Sequence, residues 1–368
     1  MTPLVAPGAS SGDSDAAFMA AALSLAARNL GDTWPNPSVG CVIVKDGVVV
    51  GRGWTQSGGR PHAETEALRR AGPQARGGTA YVTLEPCSHH GKTPPCAEAL
   101  LAAGIARVVV AMVDPDPRVA GQGIAKLKAA GVRVIEGLGG ARAQSLNAGH
   151  TLRITQNRPL FAWKTATSLD GRIALADGDS KWITGPMARE AVQALRGAYD
   201  AILVGSGTAL ADDPDLTCRL AGYPGRPKIR IVLDRRLRLP LTSKLVATAR
   251  DIPTWVVTSE VGPKVEALLA QGVEVVTADG DNIAAALATR GLTRVLIEGG
   301  GEVAAAFLNA GLVDEIAWFR ASRIIGGDGR PAVGALKASF LAAIPSFRRR
   351  DTRVFGADTL DMLERGTP

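Results

Sequence analysis

The sequence predicts two α/β domains in tandem, and three observations carry that expectation. At 368 residues the chain is too long for one ordinary core and fits two domains of common size. Apolar strand patterns alternate with helical ones along most of its length, the signature of layered α/β packing. The chemistry also divides: cysteine and histidine crowd the first half, and glycine-ended strand patterns fill the second. The predicted units are a disordered tail over 1–13, a first domain over 14–150, a linker over 151–160 (TLRITQNRPL) and a second domain over 161–368.

Bulk composition narrows the function classes. A hydrophobic fraction of 46% with 21% charged residues is ordinary for a globular protein. No apolar run approaches a membrane span, and the N-terminus lacks a basic start followed by a long apolar segment. Neither a membrane partner nor export is therefore expected. Four cysteines in so long a chain do not make a disulfide framework, so a reducing cytoplasm is expected. The net charge of +7 suits an anionic ligand. No basic run is interleaved with aromatics, so no nucleic-acid partner is expected.

In the first half, Asp13, Ser14 or Asp15 can cap a helix over 15–30, with Phe18, Ala22, Leu25 and Ala26 on one face. CVIVKDGVVVGRG reads as two strands turning at Asp46-Gly47. HAETEALRRAG is a helix ended by Gly72, TAYVTLEP a buried strand, and PPCAEALLAAG a helix opened by proline and closed by glycine. RVVVAMVDP, VAGQGIAKLKAAG and VRVIEGL continue as strand, helix, strand. The second half predicts strands near 160–168, 200–206, 229–234, 254–258, 273–277, 294–298, 314–321 and 352–363. Helices are predicted near 186–197, 263–271, 282–290 and 301–310.

The chemistry concentrates in PHAE at 61–64 and PCSHHGKTPPC at 86–96. His62, Cys87 and Cys96 offer one imidazole and two thiols, the softness that selects zinc. Two thiolates offset the dication, and three protein ligands leave a fourth position for a water whose pKa falls toward neutrality. Glu64 can move that water's proton to a leaving amine. A closed structural site would need a fourth ligand, for which Cys41, His89 and His90 are the remaining choices.

His-Ala-Glu followed by Pro-Cys and a second Cys resembles the zinc nucleoside and nucleobase deaminases, although those usually have Cys-x2-Cys. With the longer spacing, NPSVGCVIV, HAE, YVTLEPCSHHGKTPPC and VVVAMVDPDPRVAGQG together resemble one family, the bifunctional riboflavin-biosynthesis deaminase/reductase. The resemblance covers essentially the whole chain after the tail. It implies a cytidine-deaminase-like domain followed by a dihydrofolate-reductase-like one. It also implies hydrolysis of the 2-amino group of a diaminopyrimidinone carrying a 5-phosphoribosylamino group, and then reduction of the ribosyl to a ribityl chain. One zinc per chain would be held by His62, Cys87 and Cys96, with Glu64 as proton shuttle. Asn36, His89 and Lys92 would hold the small phosphorylated pyrimidine. Thr55 stands where the family commonly has a histidine.

For the second half the resemblance rests on WKTATSLDGRIALADGDSKWITG, VGSGTALADDPDLTCR and VLIEGGGEVAAAFL, and it implies NADPH. The cofactor positions are Ala166, Trp182, Thr208, Asp212, Arg235, Gly300, Gly301, Glu302, Val303, Ala304, Ala305 and Ala306. The substrate positions are Lys164, Ser180, Arg196, Leu216, Arg219 and Glu298. Physical chemistry supports several of these: three glycines before a helix let an anion approach the backbone, and the Arg196 and Arg219 forks suit a 5-phosphate. Arg235, at a strand end, suits the 2′-phosphate of NADPH. Gly205-Ser-Gly207 imitates a dinucleotide pattern but lacks its third glycine. A homo-oligomer is expected from the family. The competing readings are a deaminase of tRNA or free nucleosides with an unrelated second domain, and a zinc-stabilised binding module without catalysis.

Overall fold

The computed structural model describes residues 11–89, 94–223 and 225–366. It divides into two compact units, Met1–Gln156 and Asn157–Pro368.

The first unit runs α1 (Ser11–Ala26), β1 (Gly40–Lys45), β2 (Val48–Trp54), α2 (Ala63–Ala71), β3 (Thr79–Val82), α3 (Cys96–Ala102), β4 (Arg107–Val110), α4 (Gln122–Ala129), β5 (Arg133–Glu136) and α5 (Gly140–Gln156). Its sheet has the order β2-β1-β3-β4-β5. The β1–β2 hairpin turns where Asp46 and Gly47 both take positive φ, 50° and 76°, the conformation that Asp-Gly adopts readily. Alternation along β1 builds two cores. Cys41 and Ile43 join Ala63, Ala67, Ala97, Leu100 and Ile124 on one face. Val42 and Val44 join Phe18, Met19, Ala22 and Ala143 on the other. Three layers result, as the alternation predicts. A Cβ on Gly53 would lie 2.0 Å from the Ala63 carbonyl oxygen, so glycine in β2 lets the first turn of α2 rest directly on the strand.

The second unit runs β6 (Leu160–Thr167), β7 (Arg172–Ala174), α6 (Pro186–Gly197), β8 (Ala201–Gly205), α7 (Ser206–Asp212), β9 (Ile229–Leu233), α8 (Lys244–Ala247), β10 (Thr254–Thr258), α9 (Pro263–Ala270) and β11 (Glu274–Thr277). It continues through α10 (Ile283–Thr289), β12 (Arg294–Ile297), α11 (Gly301–Asn309), β13 (Val313–Arg320), β14 (Arg330–Pro331), β15 (Phe347–Phe355) and β16 (Asp358–Arg365). The large sheet has the order β11-β10-β9-β8-β12-β6-β13-β16-β15. Strands from β11 to β13 pair in parallel; β16 and β15 pair antiparallel. The loops after β8, β9 and β12 therefore leave one edge of the sheet, the carboxyl edge where open α/β sheets take ligands.

Four expectations need correction. Of the predicted tail, residues 1–10 lie outside the described residues, but Ser11–Asp13 already belong to α1. The Asp15 carboxylate, expected as a possible cap, instead accepts from the Tyr81 hydroxyl at 2.6 Å and from Arg107. The predicted linker over 151–160 is largely structured: α5 extends through Gln156 and β6 begins at Leu160. Asn147, two turns before the helix ends, holds α5 in place, accepting from Ser38 N and donating to Ser38 O. Finally, 352–363 is not one strand. Gly356, at φ 66°, turns the chain between β15 and β16.

Candidate active sites

The first site is assembled by three chain segments. His62 precedes α2 in extended conformation, Cys87 follows β3, and Cys96 opens α3. His62 Nδ1 lies 3.7 Å from Cys87 Sγ and 3.3 Å from Cys96 Sγ, and all three ligand atoms fall within 4.8 Å of one another. A tetrahedral zinc with ordinary bond lengths sets N and S ligands about 3.5 Å apart, so the cluster fits zinc without rearrangement. No fourth His, Cys, Asp or Glu joins the cluster among the described residues. The closed alternative through Cys41 or His89 is thereby disfavoured, and His90 lies outside the described residues; the described ligands match a site that keeps one position open.

The electrostatics are those of a metal site. The Cys96 thiol, together with the Cys96 N–H and the His62 imidazole, pulls Cys87 down to about 4 against its burial. Cys87 and burial push Cys96 up, and hydrogen bonding to Cys87 raises His62. Glu64 is 3% exposed, on the first turn of α2. Burial pushes its carboxyl up to about 7, with Cys87 adding to the rise and His62 opposing it. A carboxyl balanced near neutrality can take and return a proton.

Glu85 was not singled out by its sequence context, yet it braces this site. Its carboxylate accepts from the backbone N–H groups of Asp114, Gly121, Gly123 and Ile124 at 2.8–3.2 Å. It thereby ties the 114–124 loop to the strand end that carries Cys87. A Cβ on Gly123 would come 1.9 Å from the Pro86 carbonyl oxygen. The available signal was a glutamate wedged between a buried strand and proline in TLEP. Asn36 donates to the Gly59 carbonyl at 3.2 Å, where a Cβ on Gly59 (φ 84°) would meet Asn36 Nδ2 at 1.9 Å. His89 is exposed, and Lys92 lies outside the described residues. Thr55 is buried and accepts from Val39 N at 3.0 Å.

The second site lies along the carboxyl edge. Arg196 grips Glu298 with two parallel bonds, Nε–Oε1 2.6 Å and Nη2–Oε2 2.9 Å, and donates from Nη1 to the Thr217 carbonyl. Burial raises the Glu298 carboxyl, but Arg196, Lys164 and Arg219 outweigh it and hold it below the usual range. Burial lowers Lys164, with Glu298 opposing and Arg196 adding. These groups form one cluster. Arg219 remains exposed and pairs with Asp215 at 3.2 Å.

The cofactor positions divide. Gly300 precedes α11, and a Cβ there would approach Thr208 Oγ1 to 3.8 Å. On Gly299 a Cβ would meet Val303 at 2.9 Å, and on Gly301 it would meet Pro331 O at 3.0 Å. Packing therefore favours glycine at 299 and 301, while Gly300 has room for a side chain and leaves the backbone open to an anion. Glu302, Ala306, Asp212 and Arg235 are exposed, whereas the Ala304 and Ala305 side chains face the core. Trp182 is exposed beneath the Arg189 guanidinium, 4.5 Å from the ring centroid. Ala166 packs against the α6 core, Leu216 lies in the apolar core, and half-buried Ser180 accepts from Ile183 N through its carbonyl. The Leu216 side chain is therefore not presented to a ligand.

Comparison with known proteins decides the family. Residues 13–112 match the cytidine and deoxycytidylate deaminase zinc-binding region, and residues 159–360 match the RibD C-terminal domain. The chain is 43% identical over 359 residues to the riboflavin biosynthesis protein RibD of Escherichia coli (strain K12), covering 94% of this chain and 97% of that protein. The chain belongs to the bifunctional riboflavin-biosynthesis deaminase/reductase family. The RibD of Aquifex aeolicus (strain VF5) is 40% identical over 354 residues, covering 95% and 98%. Among solved structures, Acinetobacter baumannii RibD aligns with a TM-score of 0.88 at 39% identity, covering 97% of this chain and 100% of that one. The Thermotoga maritima diaminohydroxyphosphoribosylaminopyrimidine deaminase/5-amino-6-(5-phosphoribosylamino)uracil reductase aligns at 0.86 and 35% identity, covering 96% and 99%. The expected deaminase-like and reductase domains are both present, with zinc as the metal of the first and NADPH as the reductant of the second.

Proposed function

We propose that His62, Cys87, Cys96 and Glu64 deaminate 2,5-diamino-6-(5-phosphoribosylamino)pyrimidin-4(3H)-one, and that the Arg196–Glu298–Lys164 cluster with the Gly300 edge reduces the product. The observation that carries this is the three-ligand cluster with a buried carboxyl two residues from its histidine. Zinc, when bound, supplies a water acidic enough to attack near neutral pH. Glu64 takes one proton from that water as the water oxygen bonds C2, and returns it to the departing 2-amino nitrogen; the C2–N bond breaks and ammonia leaves, while the second water proton passes to N3 and C2 becomes a carbonyl. Asn36, on the turn held by Gly59, orients the substrate, and His89 and Lys92 hold its phosphate.

NADPH, when bound in the second unit, would supply the hydride for C1 of the opened ribose, whose C1=N double bond becomes single as the nitrogen takes a proton. Arg196 fixes Glu298, and Glu298 with Lys164 faces the sugar. Because Arg196 is already bound to Glu298 and Thr217, the exposed Arg219 is the better phosphate contact. Asp212, Thr208, Trp182 and the 300–306 run flank the dinucleotide, and Leu216 contributes through its main chain. We place the enzyme in the cytoplasm, where its four free thiols suit a reducing environment. No helix among the described residues is long and apolar enough to cross a membrane. A homo-oligomer and the absence of a nucleic-acid partner complete the reading.

The test compares ammonia release from the phosphoribosyl pyrimidine, cytidine and tRNA, followed by NADPH oxidation on the deaminated product. Turnover of the phosphoribosyl pyrimidine alone is expected. Turnover of tRNA or cytidine instead would overturn the substrate assignment.

A further inference from the structure

Residues 213–220 form no regular element, yet each residue from Asp215 to Arg219 is held by another part of the second unit. The Asp215 carbonyl accepts from Nη1 of Arg230, a buried residue of β9, at 3.4 Å. Leu216, at φ 50°, packs into the apolar core. The Thr217 carbonyl accepts from Arg196 Nη1 at 2.8 Å. Cys218 Sγ donates to the Gln193 carbonyl at 3.2 Å, and Arg219 N donates to Gln193 Oε1 at 2.8 Å. Farther on, the Tyr223 hydroxyl donates to the Gly197 carbonyl at 3.4 Å. Gln193, Arg196 and Gly197 all belong to the last two turns of α6.

Gln193 and Arg196 stand three residues apart and so share one face of that helix. Arg196 is engaged by Glu298 and Thr217. Half-buried Gln193 makes the neighbouring contact, to the main chain of Arg219. The Arg219 side chain is exposed, and its ion pair at 3.2 Å is with the equally exposed Asp215. Such a pair directs a long side chain only weakly. The direction in which Arg219 leaves the segment is therefore set by its main chain, whose N–H is held by the Gln193 amide oxygen. An amide suits this task, because it accepts a hydrogen bond without a charge that would draw the guanidinium away from a phosphate. Arg219 also helps to hold the Glu298 carboxyl low, which puts its guanidinium within electrostatic reach of the substrate cluster.

We propose that Gln193 is the positioning residue for the reductase's phosphate contact. It fixes the main chain of Arg219 so that the guanidinium meets the substrate's 5-phosphate, while Arg196 on the same helix face fixes Glu298 beside the sugar. One face of α6 thereby sets the span between the phosphate contact and the carboxylate. The proposal rests on the assignment of Arg219 to that phosphate in the reading above.

The full-length enzyme, saturated with NADPH, is assayed with 5-amino-6-(5-phosphoribosylamino)uracil and with its dephosphorylated form, as wild type, Gln193→Met, Arg219→Gln and the double variant. Gln193→Met keeps the length of the side chain and removes its amide oxygen. It should raise the KM for the phosphorylated substrate about 3- to 10-fold, the contribution of one hydrogen bond. Its kcat, its KM for NADPH and its KM for the dephosphorylated substrate should stay within about 2-fold of wild type. Arg219→Gln should show the same selectivity with a larger loss, about 10- to 100-fold. The double variant should lose no more than Arg219→Gln alone, because Gln193 acts through that residue. Hydrogen exchange across 213–222 gives a readout independent of turnover: Gln193→Met should speed it, and Gln193→Glu, which keeps an acceptor oxygen, should not. Additive losses in the double variant, or exchange that Gln193→Met leaves unchanged, would overturn the proposal. If both single variants lose equally on the two substrates and their losses still fail to add, Gln193 positions Arg219 and the phosphate assignment falls instead.

Discussion

The metal cluster of the first unit and the cofactor edge of the second are built on opposite plans. The first uses scarce, chemically distinctive side chains: one histidine, two cysteines and a buried glutamate, with ligand atoms within 4.8 Å. Its identity depends on side-chain atoms, and the fold's task is to bring three short segments together. The second uses glycines, main chain and common charged residues, spread from Lys164 to Ala306 along parallel strand ends. Replacing a ligand of the first should abolish one chemistry outright. Single changes among the glycines and exposed groups of the second should degrade affinity by degrees, because several of them would share the ligand, with the buried Glu298 the exception.

The largest expected effect breaks the first plan. Cys87→Ser should lose zinc and ammonia release together, while NADPH oxidation on supplied 5-amino-6-(5-phosphoribosylamino)uracil continues. Loss of both activities from a folded Cys87→Ser protein would contradict the separation. Glu64→Gln sharpens the distinction between ligand and proton carrier: zinc should stay near one per chain while deamination falls roughly 10²–10⁴-fold. Full ammonia release by that variant would remove Glu64 from the mechanism.

Glu298→Ala tests the second plan. It leaves the Arg196 guanidinium buried without its carboxylate, a change that costs about 3–5 kcal/mol when a buried pair is broken. Reduction should fail and the melting temperature should drop, with ammonia release near wild type. Glu298→Gln, which keeps the shape, separates the two causes: a lost reductase with a smaller stability loss assigns the carboxylate a role beyond packing.

The smallest expected effect concerns the turn under Asn36. Gly59→Ala places a methyl where Asn36 Nδ2 now stands and strains a positive φ, at a cost of about 1–2 kcal/mol. The deaminase KM should rise more than its kcat falls. An unchanged KM would mean that Asn36 does not orient the substrate.

The two plans also differ in how far they are legible before folding. His62, Glu64, Cys87 and Cys96 stand out because thiols and imidazoles are rare in this chain, and their spacing admits few chemistries. Most strands of the second unit are equally plain, since parallel strands buried on both faces read as short apolar runs. Helix α5 was missed because its apolar positions are few and its anchor is Asn147, a polar residue bonded to Ser38. The β15–β16 hairpin was missed because one glycine, Gly356, turns an otherwise continuous β-prone run. Glu85 acts on a loop distant in sequence, and it carries no local pattern that announces its partners.

The central claim, that each chemistry is confined to its own unit, is tested most directly by stripping zinc from the wild-type enzyme with a chelator. Ammonia release and NADPH oxidation are then measured on the same preparation, each with its own substrate supplied. The account predicts that ammonia release disappears and returns when zinc is restored, while NADPH oxidation stays near its starting rate throughout. Ammonia release that survives the complete removal of zinc, or NADPH oxidation that falls and recovers with the metal, would contradict it.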